Sequence, residues 1–134
     1  MSHTASGTFD VKLTPDKDGS PFGDPNWGHL WIDKQFFGDL QGTSKGQMLS
    51  IRTATKGSAG YVAMERVEAE LKGRSGTFYL QHSGTMSGGA QHLSLSVVPD
   101  SGSGQLLGLS GNMKIIIEDG KHRYSFAYSL PDPD

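Results

Sequence analysis

YVAMERVEAELKGRSGTFYLQHSGTM, residues 61–86, reads as two strands joined by a turn. In its first arm Tyr61, Ala63, Glu65, Val67, Ala69 and Leu71 recur at every second position, while Val62, Met64, Arg66, Glu68 and Glu70 take the alternate, mostly polar face. After Lys72-Gly73-Arg74-Ser75 the second arm sets Phe78, Leu80, His82, Gly84 and Met86 against Thr77, Tyr79, Gln81, Ser83 and Thr85. With Gly73-Arg74 as the loop of a type II′ hairpin, the register puts Leu71 opposite Gly76 and Glu65 opposite His82. A carboxylate and an imidazole then meet on an apolar face, where each shifts the other's proton affinity. Glu65 and His82 are therefore the candidate catalytic residues. The same pair would also serve as a structural ion pair, since buried polar groups must find partners.

Working outward, the rest of the chain repeats this alternation. Gly7–Thr14 sets Phe9, Val11 and Leu13 against Asp10 and Lys12, and Gln91–Val98 sets Leu93, Leu95 and Val97 against His92, Ser94 and Ser96. Trp27–Phe37 carries apolar residues on both faces; taking Leu30, Ile32 and Phe36 as inward also turns Lys34 inward, toward Glu65. Leu40–Ala54 alternates weakly because of its glycines, and a bulge is expected there. The last pair, Leu107–Glu118 and Lys121–Leu130, is joined by Asp119-Gly120, a strong hairpin signal that sets Ile117 against His122, Ile115 against Tyr124, Met113 against Phe126 and Gly111 against Tyr128. Residues 1–6 and 131–134 are expected to be flexible ends.

Composition agrees with this reading. Nineteen glycines and no sustained 3.6-residue periodicity argue against a helical protein. A chain of 134 residues makes one domain that can bury a core without disulfides, and it has no cysteine to form them or to ligate a metal. The net charge of −2, with both signs interspersed, offers no basic stripe for nucleic acid. No apolar run is long enough to span a bilayer, and the opening residues lack the features of a signal peptide, so a cytoplasmic location is expected. The five histidines form no recognisable metal spacing, and no cofactor is expected.

Eight successive antiparallel strands with one apolar face are best satisfied by an all-β fold closed into an eight-stranded antiparallel barrel, which leaves no exposed edge and encloses room for side chains or one small ligand. Connections alternate between its ends, so the loops at 15–26, 55–60, 87–90 and 119–120 share one end. A mouth there would gather Glu65, His82, His122 and Tyr124 beneath Pro15–Asn26, a loop long and polar enough for a lid. Lys34, Phe36, Tyr61, His122, Tyr124, Phe126 and Tyr128 are the candidate ligand-binding residues. The outward apolar residues Trp31, Phe37, Val62, Met64 and Ile116 point to a homo-oligomer, most simply a homodimer.

Asp33-Lys34-Gln35-Phe36, Gly38-Asp39-Leu40-Gln41-Gly42-Thr43-Ser44-Lys45-Gly46, Lys56-Gly57-Ser58-Ala59-Gly60-Tyr61-Val62-Ala63 and Gln81-His82-Ser83-Gly84-Thr85-Met86 together resemble a bacterial domain-of-unknown-function family, number 3224. The resemblance continues through Val98-Pro99-Asp100-Ser101-Gly102 and Leu107-Gly108-Leu109-Ser110-Gly111, and so spans nearly the whole chain. It implies a barrel similar in fold to allene oxide cyclase and brings no activity with it. Three functions stay open: a barrel that binds a small hydrophobic ligand, a cofactor-independent cyclase or isomerase using Glu65 and His82, and a filled barrel acting through its outer surface.

Overall fold

A computed structural model of the chain describes residues 2–16 and 22–132. Its strands are β1 Ser2–Pro15, β2 Trp27–Gly38, β3 Leu40–Arg52, β4 Ala59–Leu71, β5 Arg74–Ser87, β6 Ala90–Val97, β7 Ser110–Glu118 and β8 Lys121–Ser129. Each pairs antiparallel with the next, and β8 returns to β1, which closes the barrel. The chain start is a correction: Ser2–Ser6 are strand rather than a flexible end, because they complete the closing ladder with β8 from Ser129 to Ser125.

The β4–β5 register is a second correction. The turn is Lys72-Gly73, both at positive φ (47° and 86°), which is a type I′ arrangement in place of the expected Gly73-Arg74 loop. Leu71 therefore stands opposite Arg74, Glu65 opposite Leu80, and His82 opposite Ala63. The slip is two residues, so every side chain keeps its face. At the other predicted hairpin Asp119-Gly120 forms the turn, and Ile117 to His122, Ile115 to Tyr124, Met113 to Phe126 and Gly111 to Tyr128 pair as expected. β3 holds an unbroken register with both neighbours, so the expected bulge is absent. Its glycines bring the neighbouring backbones together instead.

The two ends of the barrel differ. At the end that carries the β2–β3 and β4–β5 turns, Leu40, Leu71, Leu106, Leu109 and Leu130 are buried and stop the interior. Leu106 ends a short 3-10 turn, Gly104–Leu106, in a connection expected to be partly strand. That connection follows the lower part of β5, with backbone bonds from Val98 N–H to the Tyr79 carbonyl and from Ser103 N–H to the Thr77 carbonyl. It covers β5 where β6 has ended, while β6 and β7 pair at Ser96 and Asn112. The middle of the barrel is filled by Phe9, Phe36, Phe78, Tyr124, Phe126 and Tyr128. The opposite end has no such plug among the described residues: inward Leu13 and Leu93 there are 46% and 39% exposed.

Candidate functional site

Four polar side chains lie buried among the apolar ones: Lys34 from β2, Ser44 from β3, Glu65 from β4 and His82 from β5. All four occupy inward positions of adjacent strands, so the cluster follows from alternation and pairing alone. Lys34 is directly opposite Ser44, and Glu65 is directly opposite Gly46. A Cβ at Gly46 would fall 2.0 Å from the Met64 carbonyl oxygen, so glycine is what lets β3 come this close to β4 beside Glu65. Because of the two-residue slip, Glu65 and His82 are diagonal rather than direct neighbours, a separation that long side chains bridge.

Glu65 is fully enclosed and meets three donors. Oε1 accepts from Ser44 Oγ at 2.7 Å, and Oε2 accepts from Lys34 Nζ at 3.0 Å and from His82 Nε2. Burial pushes its pKa up, but the His82 hydrogen bond, the Lys34 charge and the Ser44 hydrogen bond outweigh that and hold it at about 2, down from 4.5. Glu65 is thus a carboxylate at neutral pH and can only accept, so Nε2 of His82 carries the shared proton. The ammonium of Lys34 also sits 5.0 Å from the Phe9 ring centroid and 5.9 Å from that of Phe36.

Among the described residues Nδ1 of His82 has no hydrogen-bond partner. Since no sealed side-chain nitrogen or oxygen among the described residues lacks a partner, this nitrogen stays within reach of a water-sized molecule. In the neutral form of a ring protonated at Nε2, Nδ1 is the basic atom.

Above the cluster, at the unplugged end, lies a cavity of about 230 Å³ lined largely by apolar side chains, among them Leu13, Leu30, Met48, Tyr61, Met86 and Leu93. Its inward residues Leu30, Met48, Tyr61 and Gly84 are the next inward positions on β2 to β5 beyond Ile32, Gly46, Ala63 and His82. The Tyr61 ring lies against Gly84, and burial together with the Glu65 charge raises its hydroxyl pKa.

The other expected site residues fall elsewhere. Tyr124 is a correction to the predicted mouth: its hydroxyl donates to the Phe37 carbonyl at 2.8 Å and accepts from Leu40 N–H at 2.9 Å, beside the β2–β3 turn at the plugged end. Strand stagger explains this, because Gly7 pairs with both Gly38 and Tyr124 and so carries β8 alongside the far end of β2. Phe36, Phe126 and Tyr128 are packed in the core, away from the cavity. His122 packs on Phe9, with ring centroids 5.2 Å apart. The lid expected of Pro15–Asn26 falls partly on residues 17–21, which lie outside the described residues. Ser44 carries no signal in the sequence because glycines blur the alternation of its strand, and Leu13 and Leu30, inward by alternation, gain their role from the cavity they line.

Among the described residues no group of His, Asp and Glu could hold a metal ion, and no helix is long and apolar enough to cross a membrane. Fold and site together define a small antiparallel β-barrel, plugged at one end, with a buried ionic cluster beneath an apolar mouth. A family model described as "Protein of unknown function (DUF3224)" matches residues 5–128, and the chain belongs to that family. It is also similar, at 47% identity and a TM-score of 0.91, to the crystal structure of a protein of unknown function from the same family in Shewanella oneidensis MR-1. The match covers 99% of this chain and 100% of that one. No curated protein matches.

Proposed function

We propose that this barrel binds a small hydrophobic molecule in the cavity at its unplugged end. The observation that carries the reading is the contrast between the ends: leucines stop one, while the other keeps a cavity of about 230 Å³ with apolar walls. Small-molecule sites are concave, mostly apolar and furnished with a few placed polar groups, and this one has the Lys34–Glu65–His82–Ser44 cluster one layer beneath it. A cavity of this size, open at its mouth, admits a small ligand of one or two rings.

The test uses the neutral apolar dye N-phenyl-1-naphthylamine. Fluorescence titration should show saturable binding to the wild-type chain. Leu13→Trp and Leu93→Trp, made at half-exposed mouth positions where added bulk does not disturb the core, should weaken it at least tenfold. Dye binding that neither variant alters would place the site elsewhere.

A second reading, a cofactor-independent isomerase or cyclase, draws support from the unpartnered Nδ1 of His82. Glu65 would orient the ring and Nδ1 would take a proton from the ligand and return it to another atom. In that case His82→Gln abolishes turnover of a converted ligand while leaving dye binding within a few-fold. Turnover that survives His82→Gln rules the reading out.

A further inference from the structure

We infer that the ligand of this cavity is an amphipathic anion, with an apolar body inside the barrel and a carboxylate or similar head held at the rim by Arg52. This inference rests on the binding reading above and adds the chemical class of the ligand. Among the residues that line the cavity, Arg52 is the one with a permanent charge; the remainder are apolar or neutral polar, apart from a rim histidine, His92. Arg52 is also unspent. Among the described residues its guanidinium makes no ion pair or hydrogen bond, whereas Lys34 is committed to Glu65, Lys72 to the Thr4 carbonyl and Arg74 to the Pro131 carbonyl.

The backbone of Arg52 is fixed, so its position at the rim does not depend on its side chain. It is the last residue of β3, pairs with Ala59 of β4, and donates its N–H to the Asn26 carbonyl at 2.9 Å. Two carboxylates at this end are already engaged, Asp16 with His29 Nδ1 at 2.7 Å and Asp24 with the Asn26 N–H at 2.9 Å. A guanidinium with its donors free, beside an apolar hole, fits a planar carboxylate in two parallel N–H to oxygen bonds while the ligand's hydrocarbon part stays out of water.

Octanoate and 1-octanol, both used to displace N-phenyl-1-naphthylamine, separate this from simple apolar binding. The alcohol enters an apolar site more readily because no charge must be desolvated, so a preference for the anion requires a cation at the rim. The wild-type chain should release dye at about tenfold lower octanoate than octanol, an advantage that shrinks as salt is raised. Arg52→Gln should erase the preference and leave octanol displacement unchanged, Arg52→Lys should restore part of it, and His92→Gln should keep it. Equal potency of acid and alcohol on the wild-type chain, or a preference that survives Arg52→Gln, overturns the inference while the binding reading stands. Dye binding that ignores Leu13→Trp and Leu93→Trp removes both.

Discussion

Glu65 stays ionised inside an apolar barrel because three donors converge on its two oxygens, and this makes it an acid-sensitive element of the fold. Its folded pKa, about 2, lies below the unfolded value near 4.5, so the unfolded chain binds the proton more readily. The stabilisation is complete above about pH 5 and is lost as pH falls through 4.5 toward 2; the shift corresponds to about 3 kcal/mol. Urea unfolding of the wild-type chain should show that loss between pH 5 and pH 2. Glu65→Gln should be less stable at pH 7 by roughly 3–5 kcal/mol, since Lys34 is left buried without a counter-charge, and its stability should vary less over the same acid range. A wild-type profile no steeper than the variant's would show that the carboxylate is not held in this way. The inward placement of Glu65 and His82 was legible in the sequence because alternation fixes a face, whereas that of Lys34 followed only from the choice of Leu30, Ile32 and Phe36 as inward on a strand apolar on both faces. Ser44 was not legible, since its neighbours on that face, Gly42 and Gly46, leave no apolar stripe to follow.

At the level of elements, one turn decides how far sequence reasoning carries. Both Gly73-Arg74 and Lys72-Gly73 are compatible with a tight hairpin, and a lysine at φ 47° is an uncommon first residue for a type I′ turn, so composition favours the wrong choice. Asp119-Gly120 is a standard pairing for such a turn, and its register came out as expected. An error of two residues preserves parity, which is why the interior was recovered although direct partners were not. Tyr124 shows the other limit: periodicity places it inward but carries no information on strand stagger, so its end of the barrel could not be read. The Lys72-Gly73 turn makes its own prediction. Gly73 holds φ at 86°, and Gly73→Ala should destabilise the chain by about 1–2 kcal/mol, seen as a fall of several degrees in the thermal midpoint. Arg74→Ala at the rejected loop position should instead lose only the exposed bond to the Pro131 carbonyl, with an effect nearer 0.5 kcal/mol. A Gly73→Ala variant as stable as the wild-type chain would contradict a positive φ at this turn.

Across the whole molecule, the outer face of β2 to β4 is more apolar than a solitary barrel requires. Trp31, Leu49, Val62 and Met64 are 47%, 41%, 53% and 49% exposed, and the strand pairings set Leu49 directly beside Val62. A self-associating chain is the expected consequence. Light scattering at tens of micromolar should give a mass above that of one chain, and Met64→Lys should lower it without changing the thermal midpoint by more than a few degrees; a wild-type monomer would end this expectation. The central claim, however, concerns the inside of the barrel, and an amide NMR titration with N-phenyl-1-naphthylamine tests it most directly. Binding in the lumen should move the amides around Leu13, Leu30, Met48, Tyr61, Gly84 and Leu93, and through the cluster those of Glu65 and His82, while those around Leu40, Leu71 and Leu109 at the plugged end stay still. Shifts confined to the outer face around Trp31, Val62 and Met64, with the mouth residues unmoved, would contradict the account.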